Sequence, residues 1–392
     1  IGKNYNHALF TGIVLILTGL LSARYLLKTL CPGIMKRNSR ILLICLISTL
    51  AIILFTLWLI VFSTDKFIPT LFLKSAIQTD IVALNFPYLI APALVTLMLG
   101  VKAGISAGLG LTLITMIYGF NGSNANTDIC AHTQLLVAES LGSIILPFIL
   151  RNVYRRAHIL KAFIVTQFIQ AIAVAIIIVT GMEHPTFDTI WMSLVYVLIF
   201  SIVSVLVSFI LTITFLPVFE HLFACTSNVR LNEFCDLRHP LLLRLSSEAE
   251  GTFHHSIQVA TLAANAPERI GANSFIARVG GYFHDIGKLS KPYFFIENTS
   301  IAQSASVHDN ISPSMSALVI MSHVKDGVAL AHHYNMPQPI IDIIKQHHGT
   351  TTIAYFLNKA RTLAEKNAAS GLAKETIDES LYRYPGPSPI SK

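Results

Sequence analysis

The last third of the chain concentrates residues that bind metals. Nine of the fifteen histidines lie between residues 254 and 348, namely His254, His255, His284, His308, His323, His332, His333, His347 and His348. A lone histidine in a helical core is most often an ordinary hydrogen-bonded residue, but clustering favours metal binding, and imidazole suits Fe, Mn, Ni and Zn. Asp285 directly follows His284, and a shared carboxylate can hold two metals a few ångströms apart. The histidines therefore predict a metal site with Asp285 as a candidate bridge.

Four short motifs follow one another in this region: HHS (254–256), HDIGK (284–288), SHVKDG (322–327) and QHHGT (346–350). Their order resembles the HD-domain metal-dependent phosphohydrolases, and specifically the histidine-rich two-metal branch. The longer matches GTFHHS, FFIEN and RYPGP, behind seven apolar runs, look like the bacterial seven-transmembrane HD phosphodiesterases that hydrolyse cyclic di-AMP. The dipeptide HD occurs by chance in many proteins, whereas four ordered motifs behind seven spans are specific.

The resemblance implies a set of metal ligands. Asp285 would bridge two divalent ions, most readily Fe or Mn, and five histidines would be terminal ligands: His255, His284, His323, His347 and His348. His255 is preferred because it directly precedes the motif serine, and the adjacent His254 stays open as an alternative. In such a site the metals bind phosphate oxygens and lower the pKa of a bridging water. No binding residues for another cofactor are expected.

Other polar residues near the motifs have two interpretations each. Lys288, one helical turn after His284, could reach the same phosphate as a point charge or could be a surface lysine. The segment SVHDN contains a second HD pair, in which Asp309 could orient a ligand or cap a helix from the preceding loop. His332 and His333 precede Pro337 and are predicted to end a helix.

The resemblance also implies a residue that this sequence lacks. The family continues past RYPGP into a helix that supplies a final aspartate ligand, and this sequence stops at Lys392. Asp378 precedes the RYPGP match and does not correspond to that ligand. A mature chain ending here is expected to bind one metal weakly. The absence of an initial methionine favours a piece of a longer protein, whose parent is expected to be active.

The first 220 residues are mostly apolar, in a chain that is 53% apolar and 12% charged. Soluble domains are about a quarter charged, so we predict a membrane protein. A spanning helix needs about 20 mostly apolar residues, and seven runs qualify: 7–27, 41–63, 81–100, 103–120, 134–150, 158–181 and 190–218. Glu139 lies within the fifth run, where an ionisable group is either a functional site or a residue near the membrane interface. The glycines of GISAGLGL indicate close helix packing.

The basic residues predict the orientation of these spans. Thirteen follow the first, third, fifth and seventh runs: Arg24, Lys28, Lys36, Arg37, Arg40, Lys102, Arg151, Arg155, Arg156, Lys161, Arg230, Arg238 and Arg244. Three lie on the other side: Lys3, Lys66 and Lys74. The positive-inside rule makes the first set cytoplasmic. We therefore expect a multi-pass protein of the bacterial inner or plasma membrane, with its soluble domain in the cytoplasm.

From Ser246 onward, apolar residues recur at intervals of three and four, which is typical of amphipathic helices. The predicted fold is all-α: a polytopic seven-helix transmembrane domain followed by an all-α cytoplasmic HD-domain phosphohydrolase. The expected domains are 1–220, a juxtamembrane linker or coupling helix at 221–245 that Pro240 breaks, and 246–392, which is C-terminally incomplete.

The composition also limits the partners. The net charge of +7 needs no nucleic acid polymer, because much of the basic excess lies in short loops between apolar runs. The five cysteines form no C-x-x-C pair or disulfide framework. The expected partners are a cyclic dinucleotide substrate and the lipid bilayer.

Three functions are compatible with these features. The leading hypothesis is a membrane-anchored phosphodiesterase that opens cyclic di-AMP to linear pApA. A second is an HD hydrolase of another nucleotide, because no visible motif reads adenine. A third is a catalytically impaired membrane sensor that binds a nucleotide without cleaving it. A transporter is disfavoured because the spans show no internal repeat.

Overall fold

The structure is a computed structural model that describes residues 38–62, 88–122, 129–180, 186–223, 225–270, 272–299, 306–370 and 376–389. The chain divides into two compact units, Ile1–Val229 and Arg230–Lys392. The described part of each unit is built from helices, as the sequence predicts.

Six described helices form the first unit: α1 (Asn38–Phe62), α2 (Ile90–Leu99), α3 (Val101–Gly122), α4 (Ile129–Leu150), α5 (Arg156–Thr180) and α6 (Phe187–Phe223). The predicted run 7–27 lies outside the described residues, and the run 81–100 is described only from residue 88. Arg156–Ile177 and Phe187–Phe223 are long and apolar enough to cross a membrane, and the other four helices carry shorter apolar stretches.

Glycine sets the boundary between α2 and α3. Gly100 adopts a φ of +94°, which L side chains disfavour and glycine tolerates, and it separates the two helices. A Cβ on Gly104 would collide with Thr96 and lie 2.9 Å from the carbonyl oxygen of Pro92. Gly104 belongs to the GISAGLGL segment, so the predicted close helix packing is confirmed at this glycine.

Glu139 lies inside the first unit, where its side chain is 1% exposed. The hydroxyl of Tyr88 donates to its backbone carbonyl at 2.9 Å. The amide of Gln170 donates to the neighbouring carbonyl of Ala138, also at 2.9 Å. The first contact joins the residues before α2 to α4, and the second joins α5 to α4.

The division between the units falls within α7 (Asn228–Glu233). After it, the described residues of the second unit form seven helices: α8 (Pro240–Glu248), α9 (Glu250–Asn265), α10 (Pro267–Ile270), α11 (Ser274–Phe283), α12 (Pro313–His333), α13 (Gln338–Gln346) and α14 (Ala354–Ala369). Within its described residues, the extended backbone pairs only at the isolated antiparallel bridge between Thr352 and Arg383. The all-α prediction is confirmed.

Pro240 begins α8, so the predicted break in this segment lies directly before it, between α7 and α8. Proline is favoured at the first helical position, because its missing N–H would have no partner there. The ring of His239 accepts the Leu241 amide at 3.3 Å and caps the helix.

The apolar core of the second unit supports the end of α11. Leu241, Leu245 and Ile344 are fully buried in the same cluster as Val279 and Phe283 of α11. The Asn273 side chain caps α11 by accepting the Phe275 amide. Because both ends of this short helix are fixed, the residues that follow Phe283 are held in the interior.

Candidate metal centre

The candidate ligands come from four places in the second unit. His255 lies in α9, His284 and Asp285 follow α11, His323 lies within α12, and His347 and His348 follow α13. The 3₁₀ turn Ile286–Ser290 turns the chain away directly after Asp285. Segments separated by up to 93 positions therefore supply one site.

Two close backbone contacts bring these segments together. A Cβ on Gly287 would collide with the carbonyl oxygen of His323 and lie 2.5 Å from the Gly327 nitrogen. A Cβ on Gly281 would lie 2.5 Å from the Cα of Ala260 in α9. Glycine at 281 and 287 thus permits the contacts that place Asp285 among the histidines.

Asp285 lies at the centre of the cluster, and its side chain is 4% exposed. Its two carboxylate oxygens face different histidines. Oδ2 is 3.1 Å from His284 Nε2 and 3.9 Å from His255 Nε2. Oδ1 is 3.4 Å from His323 Nε2 and 3.6 Å from His347 Nε2.

The ligand atoms form two groups that share Asp285. One group contains His255, His284 and Asp285, and the other contains Asp285, His323, His347 and His348. Within each group the atoms lie within 4.8 Å of one another. All six residues that the sequence singles out as metal ligands are therefore brought together.

Three of the histidines each make the same kind of hydrogen bond, which orients the imidazole ring. The Nδ1–H groups of His284, His323 and His347 donate to the carbonyl oxygens three residues earlier, at 2.8, 2.5 and 2.8 Å. In the neutral ring, each bond fixes the tautomer and leaves the lone pair on Nε2, the atom that faces Asp285. At His284 that lone pair becomes free only when the proton bonded to Asp285 has left. Nε2 is therefore the coordinating atom that these rings can offer.

The arrangement of acceptors fits a bound cation. The Nε2 atoms of His323 and His347 are 3.3 Å apart, although the Nδ1 bonds leave a lone pair on both. Asp285 Oδ1 is buried and lacks a hydrogen-bond partner among the described residues. Lone pairs and a carboxylate oxygen that converge in this way need a positive charge between them.

The charge states also suit metal binding. Burial opposes ionisation of Asp285, but the hydrogen bond to His284 and the charge of Lys288 outweigh it and hold the pKa of Asp285 well below its usual value. Burial lowers the pKa of His323 to about 4 and that of His348 to about 3, with the neighbouring histidines adding to the effect at His348. Both rings are neutral at pH 7 and need not lose a proton to bind a metal.

His284 has the opposite shift. Its burial lowers the pKa, but the contact with Asp285 outweighs burial and raises the pKa above the usual value for histidine. A metal at this position must therefore displace a proton from His284 whenever the pH lies below that raised pKa.

Lys288 does not project into solvent, and its side chain is 13% exposed. Its ammonium lies 2.8 Å from Asp285 Oδ2 and 2.6 Å from Glu297 Oε1. The surface-lysine interpretation is therefore wrong, and the ammonium lies beside the carboxylate.

The structure places other candidate residues away from these two groups. His254 is 65% exposed and faces Glu250 at 3.7 Å. The Nε2–H of His308 donates to the Phe294 carbonyl at 2.8 Å, and Asp309 pairs with Lys359 at 3.1 Å.

Two further histidines and one carboxylate have structural positions as well. The helix α12 ends at His333, as the positions of His332 and His333 predict. The carboxylate of Asp378 accepts the Ser380 amide at 2.9 Å and caps a 3₁₀ turn.

Sequence reasoning missed two residues of this region. Glu297 pairs with Lys288, and the Tyr384 ring stacks on His348 with the ring centroids 4.2 Å apart. Both lie in the motifs FFIEN and RYPGP, which carry the family resemblance. Membership of these motifs could have indicated that both residues lie near the site, but neither residue type by itself indicates a role.

Two family models match the chain. The family model described as a 7TM receptor with intracellular HD hydrolase matches residues 7–227, more than half of the chain. The HD domain model matches residues 252–381. The chain belongs to this seven-transmembrane HD hydrolase family. Its first unit is thus a membrane domain, and its second is an HD domain, a class that depends on metals.

Two relatives carry the name cyclic-di-AMP phosphodiesterase PgpH. The protein from Listeria monocytogenes is 32% identical over 311 residues, which cover 79% of this chain and 40% of that protein. The protein from Bacillus subtilis is 40% identical over 195 residues, which cover 50% of this chain and 26% of that protein. The chain therefore spans well under two thirds of either relative.

A solved structure is also similar. The crystal structure of the L. monocytogenes PgpH HD domain in complex with cyclic-di-AMP is 45% identical and covers 39% of this chain and 66% of that chain, with a TM-score of 0.35.

Proposed function

We propose that this protein is a membrane-anchored, metal-dependent phosphodiesterase that hydrolyses a cyclic dinucleotide, most directly cyclic di-AMP to linear pApA. The observation that carries the proposal is the single buried carboxylate of Asp285, whose two oxygens face two separate groups of histidines. Two relatives named cyclic-di-AMP phosphodiesterase support the choice of substrate.

The proposed ligand roles follow the two groups. His255 and His284 would hold one divalent ion, the group of His323, His347 and His348 would hold the other, and Asp285 would bridge them. When bound, two Fe or Mn ions would supply charge to the phosphate oxygens and a water with a lowered pKa. The convergence of Nε2 atoms and the buried Oδ1 of Asp285 support this assignment.

The side chains of the site have distinct tasks in this reaction. Asp285 stays ionised because its pKa is low. The Nδ1 bonds keep three imidazoles from rotating, so their orientation is set before substrate arrives. Lys288 keeps its proton, because Asp285 and Glu297 overcome burial and raise its pKa. Its ammonium would bind a nonbridging phosphate oxygen as a point charge.

The reaction adds one water across one phosphodiester bond. The new P–O bond forms as the bond to a ribose 3′-oxygen breaks, and that oxygen leaves as a hydroxyl. The ring opens to a linear dinucleotide with a terminal 5′-phosphate. This balance needs no oxidant, reductant or nucleotide cofactor.

The membrane arrangement is part of the same proposal. We propose that the HD domain faces the cytoplasm of a bacterium, where cyclic dinucleotides and reduced metals are available, and that residues 221–245 couple it to the bilayer-embedded residues 1–220. The excess of basic residues after alternate apolar runs supports this orientation.

The test is hydrolysis of cyclic di-AMP by the full chain in detergent with added Mn or Fe. We expect Asp285→Asn to reduce turnover about 10³-fold. The substitution removes the negative charge and replaces one of the two bridging oxygens with an NH₂ group, which cannot bind a metal. The matched control is Asp309→Asn, which changes an exposed aspartate that also follows a histidine, and we expect turnover within about twofold of the unmodified chain. Equal turnover in the two variants would contradict the proposal, as would saturable binding without any hydrolysis by the unmodified chain.

A further inference from the structure

The position of the Lys288 ammonium depends on two carboxylates. Its Nζ atom is 2.8 Å from Asp285 Oδ2 and 2.6 Å from Glu297 Oε1, and it lies 5.0 Å from the centre of the Phe295 ring. A largely buried ammonium is costly unless it is paired. The two carboxylates therefore fix where this charge can lie.

Glu297 is itself held by the beginning of α9. The Thr252 hydroxyl donates to Glu297 Oε1 at 3.1 Å, and the Thr252 amide donates to Asn298 Oδ1 at 2.9 Å. The Asn298 amide group donates back to the Thr252 hydroxyl at 2.9 Å. A Cβ on Gly251 would collide with the Glu297 carbonyl oxygen. The 3₁₀ turn Ile296–Asn298 is thus fastened to α9 three residues before His255.

The two carboxylates differ in what else they contact. Asp285 Oδ2 also faces His255 and His284, so this oxygen belongs to the proposed metal site. Glu297 lies outside both groups of candidate ligands, and its other side-chain contact is Thr252. Glu297 is therefore the partner that remains available to Lys288 when Asp285 acts as a metal ligand.

We propose that Glu297 is a positioning residue, which holds the Lys288 ammonium beside Asp285 so that the ammonium contacts a phosphate oxygen of the substrate. This inference rests on the proposed function and adds to it a residue that acts through Lys288 without touching the substrate. Because Glu297 is anchored to α9, it ties the position of the ammonium to the helix that carries His255.

Phosphate binding tests this role without requiring turnover. The probe is inorganic phosphate added to the Mn-loaded full chain in detergent, with binding followed by the broadening of the ³¹P resonance. We expect Glu297→Gln to weaken phosphate binding about tenfold, the scale of one lost charge-assisted contact, and to leave the affinity for Mn within about threefold. Lys288→Met should weaken phosphate binding to a similar extent. The double variant should bind phosphate within about twofold of Lys288→Met, because Glu297 acts only through Lys288.

Glu250→Gln is the matched control. Glu250 lies in the first turn of α9, like Thr252, but its side chain is 79% exposed and faces His254. We expect it to bind phosphate like the unmodified chain. The proposal is overturned if Glu297→Gln binds phosphate normally, if it weakens Mn binding as much as phosphate binding, or if the losses of the two single variants multiply in the double variant. Failure of the proposed function would show separately, as an absence of cyclic di-AMP turnover by the unmodified chain.

Discussion

Asp285 illustrates how much of the site depends on the environment of one residue. Its two oxygens serve different groups because the imidazoles on either side are fixed by hydrogen bonds to carbonyl oxygens three residues earlier. The same surroundings give the histidines different proton affinities. Contact with the carboxylate raises the pKa of His284, whereas burial lowers the pKa of His323 and His348.

These differences predict that the two groups respond differently to pH. His284 carries a proton at and below its raised pKa, so metal binding to its group should weaken as the pH falls, by up to about tenfold per unit. His323 and His348, with pKa values of about 4 and about 3, stay neutral from pH 5.5 to 8 and should add little pH dependence to their group. Mn titrations of the full chain at several pH values, followed by electron paramagnetic resonance, measure both affinities. Parallel changes at the two sites would contradict this assignment.

The family resemblance carried by the order of the motifs predicted the members of the cluster, but not their partners. The dipeptide alone would not have identified the site, since His308 and Asp309 form a second pair that lies outside both ligand groups. The roles of Glu297 and Tyr384 depend on contacts across the fold. Glu297 meets Thr252 from 45 positions away, and Tyr384 meets His348 from 36 positions away. Neither residue type indicates such a partner by itself.

At the scale of elements, the site depends on how closely the helices and turns approach. The HDIGK turn meets α12 through the backbone at Gly287 and Gly327. This contact sets the distance between Asp285 and His323, so both glycines of the two motifs have a geometric role.

A substitution at this contact should damage the domain. Gly287→Ala would place a methyl group against the backbone of α12, which cannot shift without moving His323, and we expect it to cost about 3 kcal/mol. Gly280→Ala is the matched control, because the nearest atoms to its methyl group would belong to the Ile343 side chain and not to backbone. We expect it to cost about 1 kcal/mol. Hydrogen–deuterium exchange of α12 in the full chain measures the difference. Equal protection in the two variants would show that the backbone contact is not the constraint.

Element boundaries were harder to predict than element types. Apolar periodicity identified the helices of the second unit, because each needs one buried face. It could not foresee that Gly100 adopts a positive φ and separates α2 from α3, nor that Pro240 begins α8. Both outcomes depend on local backbone conformation, which the spacing of apolar side chains does not report.

At the scale of the whole molecule, the chain joins a membrane domain to an HD domain, as its family membership states. The proposed access to intracellular nucleotides depends on which side of the membrane the HD domain occupies. The distribution of lysine and arginine in the loops is the physical basis for the cytoplasmic assignment.

This orientation can be tested with single cysteines in a cysteine-free chain. We expect Asn124→Cys, in the segment between the fourth and fifth apolar runs, to react with a membrane-impermeant maleimide in intact cells. Ser370→Cys, which follows α14, should react only after the membrane is permeabilised. The reverse pattern would place the HD domain outside and contradict the proposed function.

The central claim is that Asp285 joins two metal sites, and the most direct measurement is electron paramagnetic resonance of the full chain titrated with Mn. At saturating Mn we expect two Mn ions per chain with an exchange-coupled signal, because a shared carboxylate brings the ions within a few ångströms. Asp285→Asn should abolish the coupled signal, and Asp309→Asn should retain it. A single Mn per chain, or two uncoupled ions whose binding is unchanged in Asp285→Asn, would show that Asp285 does not bridge two metals.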